Sequence, residues 1–340
     1  MKLAQILLNA RARLGACLLL AAAALAPAAC AADAFPAVIE HRYGTTIVPA
    51  KPQRIVSLSF IGHDFLLALG EKPHALRKWF GDHPHGVWPW AQAALGDARP
   101  IVLQGQIDIE RIAALEPDLI TGQWSGMTER EYALLSRIAP TVAPKAAHGS
   151  YGSPWQVMLR TLGTATGNAS KAEQIIARIE GRFAAIRAAH PEWQGASAVM
   201  VSATRTGAYS ASDIRGQFLA ALGFTVPEVE NPFAPANAYY ALLPDEDLSP
   251  IDTDALIWID AGGSVPRLKR LPLRHILRAY REGREIYAGR LLSSALSHSS
   301  PLSLDAALDQ LVPLLEAALD GDPGTPVSSM AEAGLLPEGR

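Results

Sequence analysis

Two groups of side chains in this 340-residue chain have types and spacing that could do chemistry. The first is imidazole. His83 and His85 form a His-x-His pair directly after Asp82, and His63 stands beside Asp64. Imidazole is a common metal ligand, so a secreted metal-binding protein or a metallohydrolase has to be weighed. No Glu or His completes a ligand set at a recognisable spacing, and Gly81, Pro84 and Gly86 mark an exposed loop, so no metal ligand is assigned. The Gly122 to Gly126 segment has its serine one place late for a nucleophile elbow, and no glycine-rich phosphate loop is present. No catalytic residue is assigned. The second group is aromatic and cationic: Trp79, Trp88, Trp90, Trp124, Tyr151, Trp155, Tyr209, Tyr239 and Tyr240, with Arg205, Arg267 and Arg290. Aromatic faces bury organic surface, and arginine offers paired donors to anionic oxygens. That combination captures a ligand rather than transforming one.

These residues fall in the connections of an α/β pattern. Apolar runs at Arg54–Ser59, Ala75–Lys78, Leu119–Thr121 and Thr141–Val142 read as strands, and helical patterns at His63–Leu69, Asp108–Leu115 and Glu129–Ile138 alternate with them. A helix pair follows, Pro154–Thr166 and Asn168–Ala189, the second capped by Asn168 or Ser170 and about 30 Å long. Its Ile175, Ile176, Ile179, Phe183 and Ile186 recur at helical spacing. Strands at Ala198–Ser202, Asp254–Ile259 and Glu285–Tyr287, with helices at Ile214–Leu222 and Leu302–Leu319, form a second unit. The expected fold is α/β: two Rossmann-like lobes with mainly parallel sheets joined by one long interdomain helix. The division is 1–31 signal peptide, 40–153 first lobe, 154–190 helix pair, 191–320 second lobe and 321–340 mobile tail, the last from its Gly, Pro, Ser and Glu content. Ligands of open α/β sheets bind beyond the carboxyl ends of the strands, so the aromatic and arginine loops of both lobes should face one cleft.

Lys2, Arg11 and Arg13 precede an apolar stretch of about 13 residues, Leu14 to Ala26, followed by small residues, the pattern of a secretory signal. Cleavage after Ala31 or Ala32 leaves a soluble protein, whereas Cys30 after Ala28 and Ala29 is a possible lipid-anchor site, with Pro27 where an aliphatic residue is usual. Cys17 and Cys30 are the two cysteines, so the mature chain holds no internal disulfide and rests on its core, which about 308 residues can build. Losing the signal takes the formal net charge from −3 to about −6, a poor balance for nucleic acid.

The segment GQIDIERIAALEPDLI, residues 105–120, combines a turn, a short amphipathic helix, a Pro stop and a buried strand. It resembles a segment of the periplasmic substrate-binding proteins that serve iron–siderophore and cobalamin ABC importers. Residues 52–59, Ala68 to Gly70, Ile138 to Val142, Gly216 to Phe224 and residues 300–311 extend the resemblance over roughly 40–320. It implies a periplasmic monomer of the rigid-hinge class that binds a ferric siderophore as ligand, with no cofactor, and presents it to a permease dimer and its ATPase. Haem or cobalamin is the alternative ligand. The resemblance implies cleft residues Trp79, Gln104, Trp124, Tyr151, Arg205, Tyr209, Tyr239, Arg267 and Arg290. It implies permease docking by Glu110 and Glu246. Some hydroxamate-binding relatives carry Arg near the position of the uncharged Gln104; charge supplied by Arg205 and Arg267 from the other lobe would suit a carboxylate or catecholate ligand, and the siderophore class is left open.

Overall fold

The computed structural model describes residues 34–230, 239–260 and 262–336. The expected signal segment, with Cys17 and Cys30, lies outside the described residues, as does most of the 231–240 loop. No described helix is long and apolar enough to cross a membrane.

The chain opens with an antiparallel hairpin, β1 (Ala37–His41) and β2 (Gly44–Val48), which the sequence pattern did not reveal. It buries Ala37, Ile39 and Val48, and Thr46 Oγ1 donates to Thr141 O at 2.6 Å, tying it to the first lobe. The first lobe then alternates β3 (Ile55–Ser57), α1 (Gly62–Leu69), β4 (Ala75–Arg77), α2 (Pro89–Leu95), β5 (Ile101–Leu103), α3 (Ile109–Ala113), β6 (Leu119–Thr121), α4 (Glu129–Leu135) and β7 (Thr141–Val142). Its sheet is wholly parallel in the order β5-β4-β3-β6-β7. The order reverses between β3 and β6, where a doubly wound sheet opens its binding crevice.

Helices α5 (Trp155–Thr166) and α6 (Ala169–Ala189) follow. Ala169, Ala172, Ile176, Ile179 and Phe183 make one buried stripe along α6, while Ile175 and Ile186 are only half-buried. The Asn168 side chain does not cap the helix as expected; it donates to Glu71 Oε1 at 2.8 Å and so fastens α6 to the first lobe.

The second lobe contains β8 (Ala198–Ser202), β9 (Gly207–Tyr209), α7 (Ile214–Ala221), β10 (Tyr240–Leu242), β11 (Ala255–Ile259), α8 (Val265–Arg270), α9 (Arg278–Arg281), β12 (Glu285–Tyr287), α10 (Arg290–His298), α11 (Pro301–Ala318) and α12 (Ser328–Glu332). Its sheet runs β10-β9-β8-β11-β12 and is mixed: β8, β11 and β12 are parallel, and β9 is antiparallel to both neighbours. The expected mobile tail is a correction. Val327, Met330 and Leu335 are buried, and Arg274 Nη2 donates to Leu335 O, because three apolar residues in this polar stretch find the β12 edge.

The long helix expected between the lobes is present, and a second helix joins them as well. Helix α6 is one crossing: Lys171 Nζ donates to Leu69 O in the first lobe, and Phe183 meets Phe218 of the second at 5.3 Å. Helix α11 is another. At its start Ser300 Oγ donates to Asp64 Oδ2 at 2.7 Å, and Trp90 Nε1 donates to the same oxygen at 2.7 Å. Arg182 pairs with both Asp305 and Asp309, clamping α6 against α11. One apolar core consequently runs from Ile55 and Phe65 through α6 and α11 to Ile257.

Asp64 is fully buried, so its removal strands two donors. Asp64→Ala is expected to lower the unfolding free energy by about 3 kcal/mol in urea titrations followed by tryptophan fluorescence. A loss below about 1 kcal/mol would show that this bridge carries little of the fold.

Candidate functional site

The crevices of the two sheets face each other across a cleft of about 340 Å³. The first lobe lines it with Trp79 and Phe80, which follow β4. Trp79 is held edge-on by Phe80 at 4.6 Å and by Trp124 at 5.1 Å, and His298 lies 5.6 Å behind it. Trp124 itself is buried, in a left-handed turn (φ 56°), with Nε1 donating to Tyr151 O at 2.6 Å. It braces Trp79 instead of presenting a face to ligand. Tyr151 braces Trp124 in turn, ring to ring at 5.0 Å. Trp88 and Trp155 are buried too, and Trp88 stacks on Trp90 at 5.0 Å.

The second lobe supplies the polar wall: Ser202, Thr204 and Arg205 after β8, Tyr209 on β9, Tyr240 on β10 and Arg215 in α7. The Arg205 guanidinium lies 5.9 Å from the Tyr240 ring, and Tyr209 and Tyr240 pack at 5.0 Å. Arg215 was not anticipated. It is nearly buried, lies 3.9 Å over the Tyr209 ring, and its Nη1 donates to Asp213 Oδ1 at 2.7 Å. Burial works against the Arg215 charge, but Asp213 and Tyr209 outweigh it and raise its pKa. Burial also pushes the Asp213 carboxyl up against the pull of Arg215. The two groups face each other at 2.7 Å, and removing either would leave the other buried without a counter-charge. Asp213 caps the helix, accepting from Arg215 N at 2.9 Å; sequence reading missed Arg215 because a cation inside a helix reads as surface.

Four expected cleft residues lie elsewhere. Arg267 is spent on Asp245, at 2.6 and 2.8 Å, with further bonds to Thr206 Oγ1 and Ala203 O. Arg290 opens α10 and lines a separate groove of about 500 Å³ with Tyr287, Gln310 and Glu332, its charge felt by Asp82 and His83. Gln104 is exposed on the far side of β5, beside a small cavity shared with Arg77. Tyr239 is an interlobe strut: its hydroxyl donates to His148 O at 3.0 Å, and a Cβ on Gly152 would come within 2.6 Å of its ring. Trp79, Arg205 and Tyr209 are the expected residues that the fold brings together at the cleft.

The two docking acids occupy matching places. Glu110 follows β5 and Glu246 follows β10, the outermost strand on the same side of each sheet order, and both are exposed. Asp245 is locked to Arg267, and the exposed Asp247 accepts from Ser249 N and Oγ, which leaves the exposed Glu246 as the member of its acidic run with no hydrogen bond or ion pair among the described residues. His83 rests on Trp88 at 4.3 Å, and no cluster of three His, Cys, Asp or Glu among the described residues could hold a metal ion.

A family model described as periplasmic binding protein matches residues 55–289. The chain is 32% identical over 197 residues to the probable siderophore-binding lipoprotein YfiY of Bacillus subtilis, covering 56% of this chain and 57% of that protein. It is 30% identical over 211 residues to the ferric enterobactin-binding periplasmic protein FepB of Escherichia coli, covering 58% and 64%. The aligned parts therefore span less than two thirds of either relative. The crystal structure of a periplasmic solute binding protein from Mycobacterium smegmatis superposes with a TM-score of 0.75 at 35% identity, covering 83% of this chain and 98% of the other.

Behind the cleft, His298 of the second lobe is packed among Trp79, Phe80, Trp88, Trp90 and His63 of the first. Burial brings its pKa down to about 4; Asp64 pulls upward, while His63 and Arg215 push down. Burial lowers His63 as well, opposed by Asp64. An unfolded imidazole titrates near 6.5. Between those values the unfolded chain binds more protons, so the contribution is complete above about pH 6.5 and is lost as pH falls toward 4. Urea titrations are expected to show about 3 kcal/mol lost across this window. His298→Asn should flatten the profile, and an undiminished slope in that variant would assign the effect to other groups.

Proposed function

Because this chain belongs to the periplasmic binding protein family over residues 55–289, we propose that it captures a ferric siderophore between its lobes and presents it to an ABC permease in the inner membrane. Members of this family are substrate-binding proteins, not enzymes, and the siderophore is their ligand, not a cofactor. The observation that carries the proposal is the division of the cleft into an aromatic wall, Trp79 and Phe80, and a donor wall, Arg205, Arg215, Tyr209 and Tyr240. Such a pair of walls suits a complex whose organic shell needs apolar contact and whose iron-bound oxygens need hydrogen-bond donors. The mechanism is binding and hand-over, with no bond made or broken.

Delivery rests on Glu110 and Glu246. Each stands exposed past the carboxyl end of an outermost strand, so one acid from each lobe would meet permease arginines on either side of the cleft mouth. The basic, apolar leader at residues 1–31 supports export to the periplasm, with Cys30 as a possible site of lipid attachment.

Titration of the mature protein with ferric hydroxamate, ferric catecholate, ferric citrate, haem and cobalamin, read by tryptophan fluorescence, tests the proposal. Saturable submicromolar quenching by one ferric class is expected, and a response to haem or cobalamin alone would overturn it. Arg205→Ala should weaken the responding complex by about tenfold, since a charge-assisted bond is lost. Reversing both acids, Glu110→Arg with Glu246→Arg, should leave cargo affinity unchanged. It should abolish stimulation of the permease ATPase in liposomes, and the wild-type stimulation should fall with salt. Full stimulation by the double variant would remove these residues from docking.

A further inference from the structure

We infer that the cargo of this cleft is a ferric complex of little or no net charge, of the trihydroxamate kind, in preference to a trianionic tris-catecholate or a polycarboxylate. The inference rests on the ferric-siderophore proposal and deepens it, and it departs from the carboxylate or catecholate ligand that Arg205 and Arg267 together would suit.

The charges around the cleft carry it. Among its described lining residues there are two cations, Arg205 and Arg215, and no Lys, His, Asp or Glu. Arg215 is balanced where it sits: Asp213 accepts from it at 2.7 Å, and both side chains are almost wholly buried. It reaches the cleft lining, where its Nε is buried with no hydrogen-bond partner among the described residues. Its charge is not available. Arg267, which would have made a third cation, is neutralised by both oxygens of Asp245. On the first lobe, Lys78 pairs with Asp82 at 2.8 Å, and Arg77 turns away, donating to Gly105 O and Ser125 O with its guanidinium 4.2 Å over Phe60. Arg290 lines the separate groove, near Asp82. Residues 231–238 and Ala261, outside the described set, contain no ionisable side chain. Among the described lining residues, Arg205 is the one cation without a carboxylate partner.

Ferric iron bound by three hydroxamates is neutral at the metal, because three single negative charges cancel three positive ones. Three catecholates bring six negative charges and leave a trianion. Burying a trianion against one free cation and an aromatic wall would leave most of its charge desolvated and unpaired, which the cleft has no means to offset. A neutral complex asks of the same walls only apolar contact and hydrogen-bond donors, and both are present.

The test compares ferrichrome, an uncharged trihydroxamate complex, with ferric enterobactin, a trianionic tris-catecholate, by tryptophan quenching across a range of salt. Ferrichrome is expected to bind at least about tenfold more tightly, with an affinity that changes less than about twofold from low to high salt. Tighter binding of ferric enterobactin, falling steeply with salt, would overturn the inference while leaving the siderophore proposal standing. Quenching by neither complex, nor by ferrioxamine B or ferric citrate, would overturn both. Thr204→Lys adds a cation at an exposed lining position and should move the ratio toward ferric enterobactin by about tenfold. Asp213→Asn uncovers the Arg215 charge and should move it the same way. An unchanged ratio in correctly folded Thr204→Lys protein would show that charge does not set the selectivity and would overturn the inference.

Discussion

The rest of the molecule depends on the buried carboxylate of Asp64. One oxygen accepts both Trp90 Nε1 of the first lobe and Ser300 Oγ, which begins the α11 crossing from the second. A fully buried carboxylate oxygen is costly unless it accepts, and the two donors that Oδ2 takes tie the chain on both sides to this point. The α10 helix ends beside it, and His298 on that helix enters a box of first-lobe rings. The lobes are therefore locked by a polar bridge and an aromatic knob as well as by the long helix α6. This joint lies against Trp79, so the aromatic wall of the cleft is supported by the contact that fixes the lobes.

The unequal chemistry of the two walls follows from the two sheets. The first is wholly parallel, and its binding loops leave β4 and β6 from a fully buried core, bringing large apolar side chains that pack on one another. The second carries the antiparallel ribbon β9–β10 on one edge. That ribbon places Tyr209 and Tyr240 side by side and leaves room for Arg215 to lie over the Tyr209 ring. On the proposed function, aromatic surface on one side and oriented donors on the other would give affinity without a dense charge field. The cation–π contact and the Asp213 pair hold Arg215 in one orientation, which reduces the entropy lost on ligand capture.

Much of this architecture was legible in the sequence. The strands from β3 to β12 that are buried on both faces appear as continuous apolar runs, and the α6 stripe appears as a helical repeat, because backbone geometry and local periodicity are intrinsic to the chain. The GQIDIERIAALEPDLI segment identified the family because it spells a turn, a helix cap, a Pro stop and a strand in one order. The hairpin β1–β2 and helix α12 were not legible. Each is short and borrows its stability from a neighbour, Thr141 in one case and the β12 edge in the other.

The site was legible as a set of loops and not as a set of contacts. Loop position follows from strand order, so Trp79, Arg205 and Tyr209 could be assigned to a cleft from their places in the chain. Which arginines remain free does not follow, because it depends on partners that folding selects at a distance. Arg267 meets an aspartate 22 residues away, and Arg77 spends its donors on carbonyls 28 and 48 residues away. The same holds for the tryptophans, which share one composition but divide into the half-exposed face of Trp79 and the buried struts Trp88, Trp124 and Trp155. Family, fold class and the location of the cleft were written in local pattern and order. The charge of the cleft was decided by the packed fold, which pairs Arg267 with Asp245, spends Arg77 on distant carbonyls and seats Arg215 against Asp213, because a desolvated ion needs partners within hydrogen-bond reach.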